Sequence, residues 1–400
     1  MNPARWYVHF AGSQKVAWAL DEDLLWLEQA LGDRAKKVSL PFARIVHAAW
    51  WPAVLSLPAP MLAGKNVVSF ADNPPSFYLS NPGFAKAAGL VNLWIARTRE
   101  AEAQFQCLGL PVARAPYCAD PGVFKPLLNR AEIRAALGIP EDSFVIGNFH
   151  RDSEGANLRK PKLQKGPDVF LEVAKALRER KPRLHVLLAG PRRHWLRNAL
   201  AKERIPFTFA GEAEEQDDYP KNILNRPRLN ELYQALDVCV ISSRWEGGPY
   251  SVLEALFSGT AVVSTHVGLA RDLLLPEALY RTPQEGAEKI SSTGLTSACK
   301  TARKQALQTN TLPALRSALI AGYSDFPAGG PSVRDVAASL WQRVSNSGAK
   351  PESSHLLSNI IQKVQAGGDI ASETPLENDA AMRSALIQTA RHWRTLKEDQ

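Results

Sequence analysis

Over its first 345 residues the chain twice repeats one pattern, short apolar runs alternating with stretches of helical periodicity. This alternation restricts the fold more than any other feature of the sequence. Strands separated by a helix return in the same direction, so they pair in parallel, and a parallel sheet needs helices on both faces. The expectation is therefore two doubly wound α/β units. In the first, Trp6–Ala11 reads as a strand that breaks at Gly12-Ser13, followed by a helix with Leu24, Leu25, Leu27 and Leu31 on one broad face. Further strands are read at Arg44–Ala48, Asn66–Phe70 and Leu90–Ile95, then a helix over Arg99–Leu108 and a strand from Val112. The turn-rich Asp120-Pro121-Gly122-Val123-Phe124-Lys125-Pro126 reads as a hinge.

The second alternation is clearer. Strands are expected at Ser143–Gly147, Leu184–Gly190, Ile205–Phe209, Asp237–Ser242 and Thr260–Thr265, with helices over Pro167–Glu179 and from about Arg228 and Pro249. Val333–Val344 reads as a late helix, Ser345–Ser354 as a Ser/Gly/Lys/Pro linker, and 355–364 and 375–396 as helices of a tail. The expected domains are residues 1–122, residues 123–345 and a linker with helical tail over 346–400. A chain of 400 residues with 45% hydrophobic and 22% charged residues suits that division.

Several function classes lose support from composition. No apolar run approaches bilayer length, and Met1–Trp18, interrupted by Arg5, His9 and Lys15, lacks a signal-peptide core, so a cytoplasmic location is expected. Cys107, Cys118, Cys239 and Cys299 have no paired metal or redox spacing, and the eight histidines form no ligand pattern, so no metal and no cofactor are expected. A net charge of +8 favours anionic partners, including an acidic membrane face, but no interleaved basic-aromatic motif supports nucleic-acid binding. No Gly-x-Gly-x-x-Gly follows an early strand, which disfavours a dinucleotide-dependent oxidoreductase.

The most informative segment is Arg244-Trp245-Glu246-Gly247-Gly248-Pro249-Tyr250-Ser251-Val252-Leu253-Glu254-Ala255. A strand ends, two glycines turn the chain, and a helix begins with Pro249 expected at its first position. Such a helix start offers free N–H groups and a positive dipole end to a phosphate or to sugar hydroxyls. Read locally, this is equally a glycine turn with two solvated glutamates. The seven residues between Glu246 and Glu254, however, make the segment resemble the Glu-x7-Glu signature of glycosyltransferase family 4. Other landmarks follow in order. His150-Arg151 and Lys165-Gly166-Pro167-Asp168 look like the family's arginine and Lys-Gly pair, with Arg159 as an alternative arginine. Leu188-Ala189-Gly190 and Phe207–Gly211 are similar to two strand ends with glycine, Leu232–Val238 to the helix-to-strand step, and Gly259–Gly268 to the closing strand and loop.

The resemblance is strong over Pro111–Leu274 and weak before it. It implies a GT-B fold, with two Rossmann-like doubly wound domains facing a cleft and the helical appendage outside it. It implies a retaining, metal-independent glycosyltransferase that uses a nucleotide sugar and a glycan or lipid-linked acceptor, as in cell-envelope polysaccharide synthesis. By that resemblance Arg151, Lys165 and Glu246 are catalytic, the two cations stabilising the departing diphosphate and Glu246 touching the donor sugar. Gly12, Gly190, Gly247, Gly248, Pro249, Tyr250, Ser251 and Glu254 would bind the donor, Glu254 through the ribose hydroxyls. Where many members carry a donor-contacting histidine at a strand end, this chain has Ala71, with His47 as a compensating candidate. A catalytically degenerate nucleotide-sugar-binding protein is the alternative. Trp50, Trp51 and Phe77-Tyr78 are read first as packing residues, and Arg192–Arg197 as a solvated cationic face.

Overall fold

The computed structural model describes residues 5–13, 19–154 and 157–329. It contains two six-stranded sheets. The first is built from β1 (Trp6–Ala11), β2 (Ala35–Lys37), β3 (Ile45–Ala48), β4 (Asn66–Ala71), β5 (Leu93–Ala96) and β6 (Val112–Arg114). Its order is β2-β1-β3-β4-β5-β6, and β1 pairs in parallel with β2 and with β3, and β3 with β4. The second uses β7 (Phe144–Asn148), then, beyond a small antiparallel hairpin of β8 (Ser153–Glu154) and β9 (Asn157–Pro161), β10 (Leu184–Leu188), β11 (Phe207–Phe209), β12 (Val238–Ile241), β13 (Ala261–Thr265) and β14 (Leu279–Tyr280). Its order is β11-β10-β7-β12-β13-β14.

Every pairing in the second sheet is parallel, with Val186 and Val238 both opposite Ile146, and Val240 opposite Val263. Val238-Cys239-Val240-Ile241 and Leu184–Leu188, the latter apolar except for His185, are buried along their length, as central strands covered on both faces must be. The helix Pro167–Arg180 buries Phe170, Val173, Ala174 and Leu177 against this sheet, a stripe at helical spacing. From β7 the chain runs outward through β10 and β11, then returns to β12 on the other side. The order therefore reverses between β7 and β12, and open α/β sheets bind ligands above such a reversal, outside the carboxyl ends of the strands.

By packing, the residues fall into two compact units. One holds the chain up to Phe70, Leu79–Trp94 and the described residues from Tyr323; the other holds Ala71–Tyr78 and Ile95–Gly322. The expected hinge lies within the second unit and is bonded to it at and just before its residues. Asn230 Nδ2 and Gln234 Nε2 donate to the Lys125 carbonyl, and Asn310 Nδ2 donates to that of Tyr117. In the first unit Tyr323, fully buried, packs edge-on to Trp6 and lies 2.5 Å from His47 Nδ1.

Element types follow the sequence reading, with differences at boundaries. The fifth strand begins at Leu93, because Gly89–Asn92 turn and Asn92 instead accepts the Val67 N–H through its side chain. Pro249 is the residue before the helix Tyr250–Phe257, not its first position, with extended backbone at φ −66° and ψ 111°. The short β2 and β14 and the helices Pro283–Ser291, Gly294–Thr309 and Leu312–Gly322 are additions. Val333–Val344 and the two tail helices lie outside the described residues.

Candidate active site

Four segments converge at the carboxyl ends of β7 and β12. The first follows β7. Asn148 Nδ2 donates to the Val240 carbonyl of β12, and Asn148 Oδ1 accepts the His150 N–H, so the chain leaving β7 is fastened across the strand gap. The second is the turn Lys162–Gly166. Ser242 Oγ donates to the Lys165 carbonyl and the Arg244 N–H to that of Gln164, zipping this turn to the end of β12. Arg244 also grips Asp168 with both terminal guanidinium nitrogens. Gly166 has φ +59°, and a Cβ there would lie 1.9 Å from the Ser242 carbonyl oxygen. The close approach that carries Lys165 to β12 therefore requires glycine.

The third segment is the turn 243–249. Glu246 Oε1 accepts from Lys165 Nζ at 2.6 Å and from Ser243 Oγ at 2.6 Å, and His150 Nδ1 lies 3.9 Å away. Two residues 81 positions apart thus form one ion pair, with the Glu246 side chain only 9% exposed. Burial alone would raise the Glu246 carboxyl, but Lys165, His150 and the two hydrogen bonds outweigh it and hold the group below its usual range. His150 is driven the other way: burial first, then Lys165 and Arg193, lower its pKa from 6.5 to about 4 against the pull of Glu246. At neutral pH Glu246 is therefore a carboxylate and His150 an uncharged imidazole.

The fourth segment is the helix Tyr250–Phe257. Ser251 Oγ lies 2.8 Å from His150 Nε2, and Glu254 Oε2 accepts from the buried Tyr233 hydroxyl at 2.8 Å. Gly247 and Gly248 are crowded from a direction the sequence did not suggest. A Cβ on Gly247 would meet the Asp72 backbone at 2.4 Å, and one on Gly248 the Tyr117 ring at 2.1 Å. Tyr117 donates to Asp72 Oδ1 at 2.7 Å, lies under the Arg97 guanidinium and meets Tyr250 edge-on.

Lys165, Glu246, Gly247, Gly248, Pro249, Tyr250, Ser251 and Glu254 thus come together on contiguous or bonded segments. Arg151 is half-buried beside them, within electrostatic reach of Glu246 and of Lys162. Arg159 instead lines a surface recess with Trp195, Asn198 and Lys202. Gly190, with φ +85°, closes β10 next to β7. Gly12 follows β1 in the other unit, where a Cβ would meet Ala53 at 2.9 Å. His47 is fully buried between Tyr323 and Phe70, which makes it a core residue and not a substitute for the histidine absent at Ala71. Trp51 is also buried, against Phe84, while Trp50 and Phe77 are exposed.

The sequence reading missed Asn148, Ser243, Tyr233, Asp152 and Arg193. Its cationic face needs correcting: Arg193 is 0% exposed, and Arg192 pairs with Asp217. Arg193 Nη2 donates to the Asn148 carbonyl at 2.8 Å, and Asp152 accepts the N–H groups of Trp195 and Leu196. A buried arginine leaves no signal in a single sequence, because arginine side chains are mostly exposed. Among the described residues no group of three or more His, Cys, Asp or Glu could hold a metal ion, and no helix is long and apolar enough to cross a membrane.

Residues 156–292, which include Lys165 and the whole 244–255 segment, match a family model. It is that of the glycosyl transferases group 1. Two curated relatives match part of the chain. The lipopolysaccharide core biosynthesis mannosyltransferase LpsB of Rhizobium meliloti is 30% identical over 153 residues, 38% of this chain and 39% of that protein. The D-inositol 3-phosphate glycosyltransferase of an Arthrobacter species is 31% identical over 160 residues, 38% of this chain and 34% of that one. The match thus spans less than half the length of either. Solved structures extend the likeness of fold. HepE of Anabaena, in complex with UDP and glucose, superposes with a TM-score of 0.65 at 16% identity, covering 80% of this chain and all of that one. Sucrose-phosphate synthase of Thermosynechococcus elongatus gives 0.55 at 16% identity, over 70% and 73% of the two chains. The fold is that of GT-B glycosyltransferases.

Proposed function

We propose that the protein is a retaining, metal-independent glycosyltransferase, in the manner of family 4, that moves a sugar from a nucleoside diphosphate to a glycan or lipid-linked acceptor. The observation that carries this reading is the Lys165–Glu246 pair, 2.6 Å apart beside the glycine turn above the strand reversal. A departing nucleoside diphosphate gains negative charge as the glycosidic bond breaks, and cations already in position stabilise that charge without reorganising. Lys165 and Arg151 supply those cations and take the part a divalent ion plays elsewhere. Glu246 accepts from a donor-sugar hydroxyl. Glu254, its Oε2 anchored by Tyr233, accepts from the ribose. The likeness to LpsB and to the inositol-phosphate enzyme supports a polyhydroxylated acceptor. A net charge of +8 suits peripheral contact with the anionic inner face of a membrane when the acceptor is lipid-linked.

A second reading, a donor-binding protein without turnover, rests on the buried Ala71, whose methyl offers no hydrogen bond where relatives of this type carry histidine. Donor hydrolysis and transfer with a panel of nucleotide sugars separate the two, since the degenerate protein binds a donor and consumes none. For the enzyme, Lys165→Ala should lower kcat by roughly 10²–10³-fold, more than it raises the donor KM, because the interaction grows in the transition state. Exposed Lys160 is the charge-matched control. Lys162 is not, since it lies near Arg151 and Glu246. A Lys160→Ala loss equal to that of Lys165→Ala would reduce the effect to bulk electrostatics. Activity abolished by chelator and restored by magnesium or manganese would overturn the metal-independent mechanism.

A further inference from the structure

His150 Nδ1 is buried and has no hydrogen-bond partner. Burying such an atom unsatisfied costs about 1–3 kcal/mol, so a persistent case in a folded protein calls for a reason. Its surroundings supply one. The ring is held at its other nitrogen by Ser251 Oγ at 2.8 Å, and Nδ1 points towards Glu246 Oε1 from 3.9 Å, too far for a bond. A bare lone pair on Nδ1 would face the carboxylate unfavourably. The proton therefore belongs on Nδ1, and the Ser251 hydroxyl donates to Nε2. The imidazole is thus a neutral donor, fixed in orientation and directed at Glu246.

Glu246 presently has its cation in Lys165, at 2.6 Å. A lysine that serves a diphosphate cannot keep its full contact with a carboxylate, because the anionic phosphate competes for the same ammonium. We infer that His150 is a positioning residue that takes over from Lys165 as the partner of Glu246 when a nucleoside-diphosphate sugar binds. The reading of the site as a sugar-nucleotide site underlies this step. On binding, Lys165 shifts to the diphosphate, Nδ1–H closes the 3.9 Å gap, and Glu246 stays ionised and aimed at the sugar. The orphaned donor of the ligand-free site is then satisfied in the loaded one. An uncharged donor suits this place, since a second cation beside Lys165 and Arg193 would be repelled.

Three substitutions divide the two ring nitrogens. An asparagine amide reaches where Nδ1 lies, a glutamine amide reaches where Nε2 lies, and phenylalanine keeps only ring volume. Affinities for UDP and UDP-glucose, and for GDP and GDP-mannose, are measured by calorimetry on the full chain, with kcat and KM for whichever sugar is turned over. His150→Asn should stay within about threefold of wild type. His150→Gln and His150→Phe should lose about 10–100-fold in kcat/KM and in sugar-nucleotide affinity, the range for a hydrogen bond to a charged group. Free diphosphate affinity should fall too, since the diphosphate alone draws Lys165 from Glu246, but by less than sugar-nucleotide affinity, because Glu246 also addresses the sugar. Wild-type values in Gln and Phe, equal losses in all three variants, or an equal loss of UDP and UDP-glucose would each overturn the inference. Nitrogen-15 NMR of the ligand-free protein should find His150 as the Nδ1–H tautomer, and the Nε2–H tautomer would overturn the inference independently of any substrate. A wild-type chain with the expected tautomer that binds no nucleotide or nucleotide sugar would overturn the sugar-nucleotide reading and this inference with it. Loss confined to the variants leaves that reading standing.

Discussion

At the scale of single residues, the site depends on atoms that are missing as much as on those present. Gly166 sits between the turn that carries Lys165 and the strand that carries Ser242, with no room for a side chain. Gly166→Ala adds left-handed strain to a collision with a backbone oxygen and should cost about 2–5 kcal/mol. Gly138→Ala, where φ is +66° but nothing lies within 4 Å, should cost only about 1 kcal/mol. Denaturant midpoints measure both, and equal losses would mean that the Ser242 contact relaxes freely. Glu254 gives a functional counterpart. A carboxylate that accepts both ribose hydroxyls becomes, in Glu254→Gln, an amide with a single acceptor oxygen. Nucleoside-diphosphate affinity should then fall about tenfold or more, and an unchanged affinity by calorimetry would remove Glu254 from the site.

At the scale of elements, the strand end 148–151 is held by partners on other elements: Val240 on β12, Arg193 after β10 and Ser251 on the helix after the glycine turn. That packing leaves a pH signature. His150 titrates at about 4 in the folded chain and at 6.5 when unfolded, so between these values the unfolded state binds the extra proton. Stability must then fall as pH drops from 6.5 towards 4, by about 3 kcal/mol from this group alone. Glu246, held low in the folded state, adds to the loss as pH falls through and below the ordinary carboxylate range. Urea titrations at pH 7.5, 5.5 and 4.5 should show the decline, and His150→Asn should flatten it. An undiminished slope in the variant would assign the effect to other histidines.

At the scale of the whole molecule, the chain returns to its first unit after Gly322. Tyr323 packs against Trp6 and bonds His47, Phe326 accepts from the Trp6 indole, and Gly329 bridges to Trp6. A chain ending at Ser347 should keep these contacts and bind a nucleoside diphosphate like the full chain. One ending at Gly322 strips a buried tyrosine from the first unit, a loss of about 3–5 kcal/mol, and leaves His47 without that partner. Thermal unfolding of the two truncations tests this. Failure of the Ser347 chain to fold would make the tail integral, and equal melting of both chains would make the return segment dispensable.

Periodicity alone pointed to the two parallel sheets and to their longer strands, though not to β2, β14 or the β8–β9 hairpin, because buried strands and one-sided helices are encoded as apolar patterns. Ordered motifs marked Lys165 and the 244–255 segment, because a turn that needs glycine and a proline at or just before a helix start show in local composition. The partners of those residues appeared only in the tertiary structure. The resemblance assigned Lys165 and Glu246 to one site, but their direct pairing across 81 positions appears only where Ser242 and Gly166 bring two loops together. Nor does a single sequence separate Lys160 from Lys162, or buried Arg193 from paired Arg192, which have the same chemistry and neighbouring positions. Burial and long-range bonding are set by where elements meet, and that depends on the order in which β7, β10 and β12 line up in the sheet.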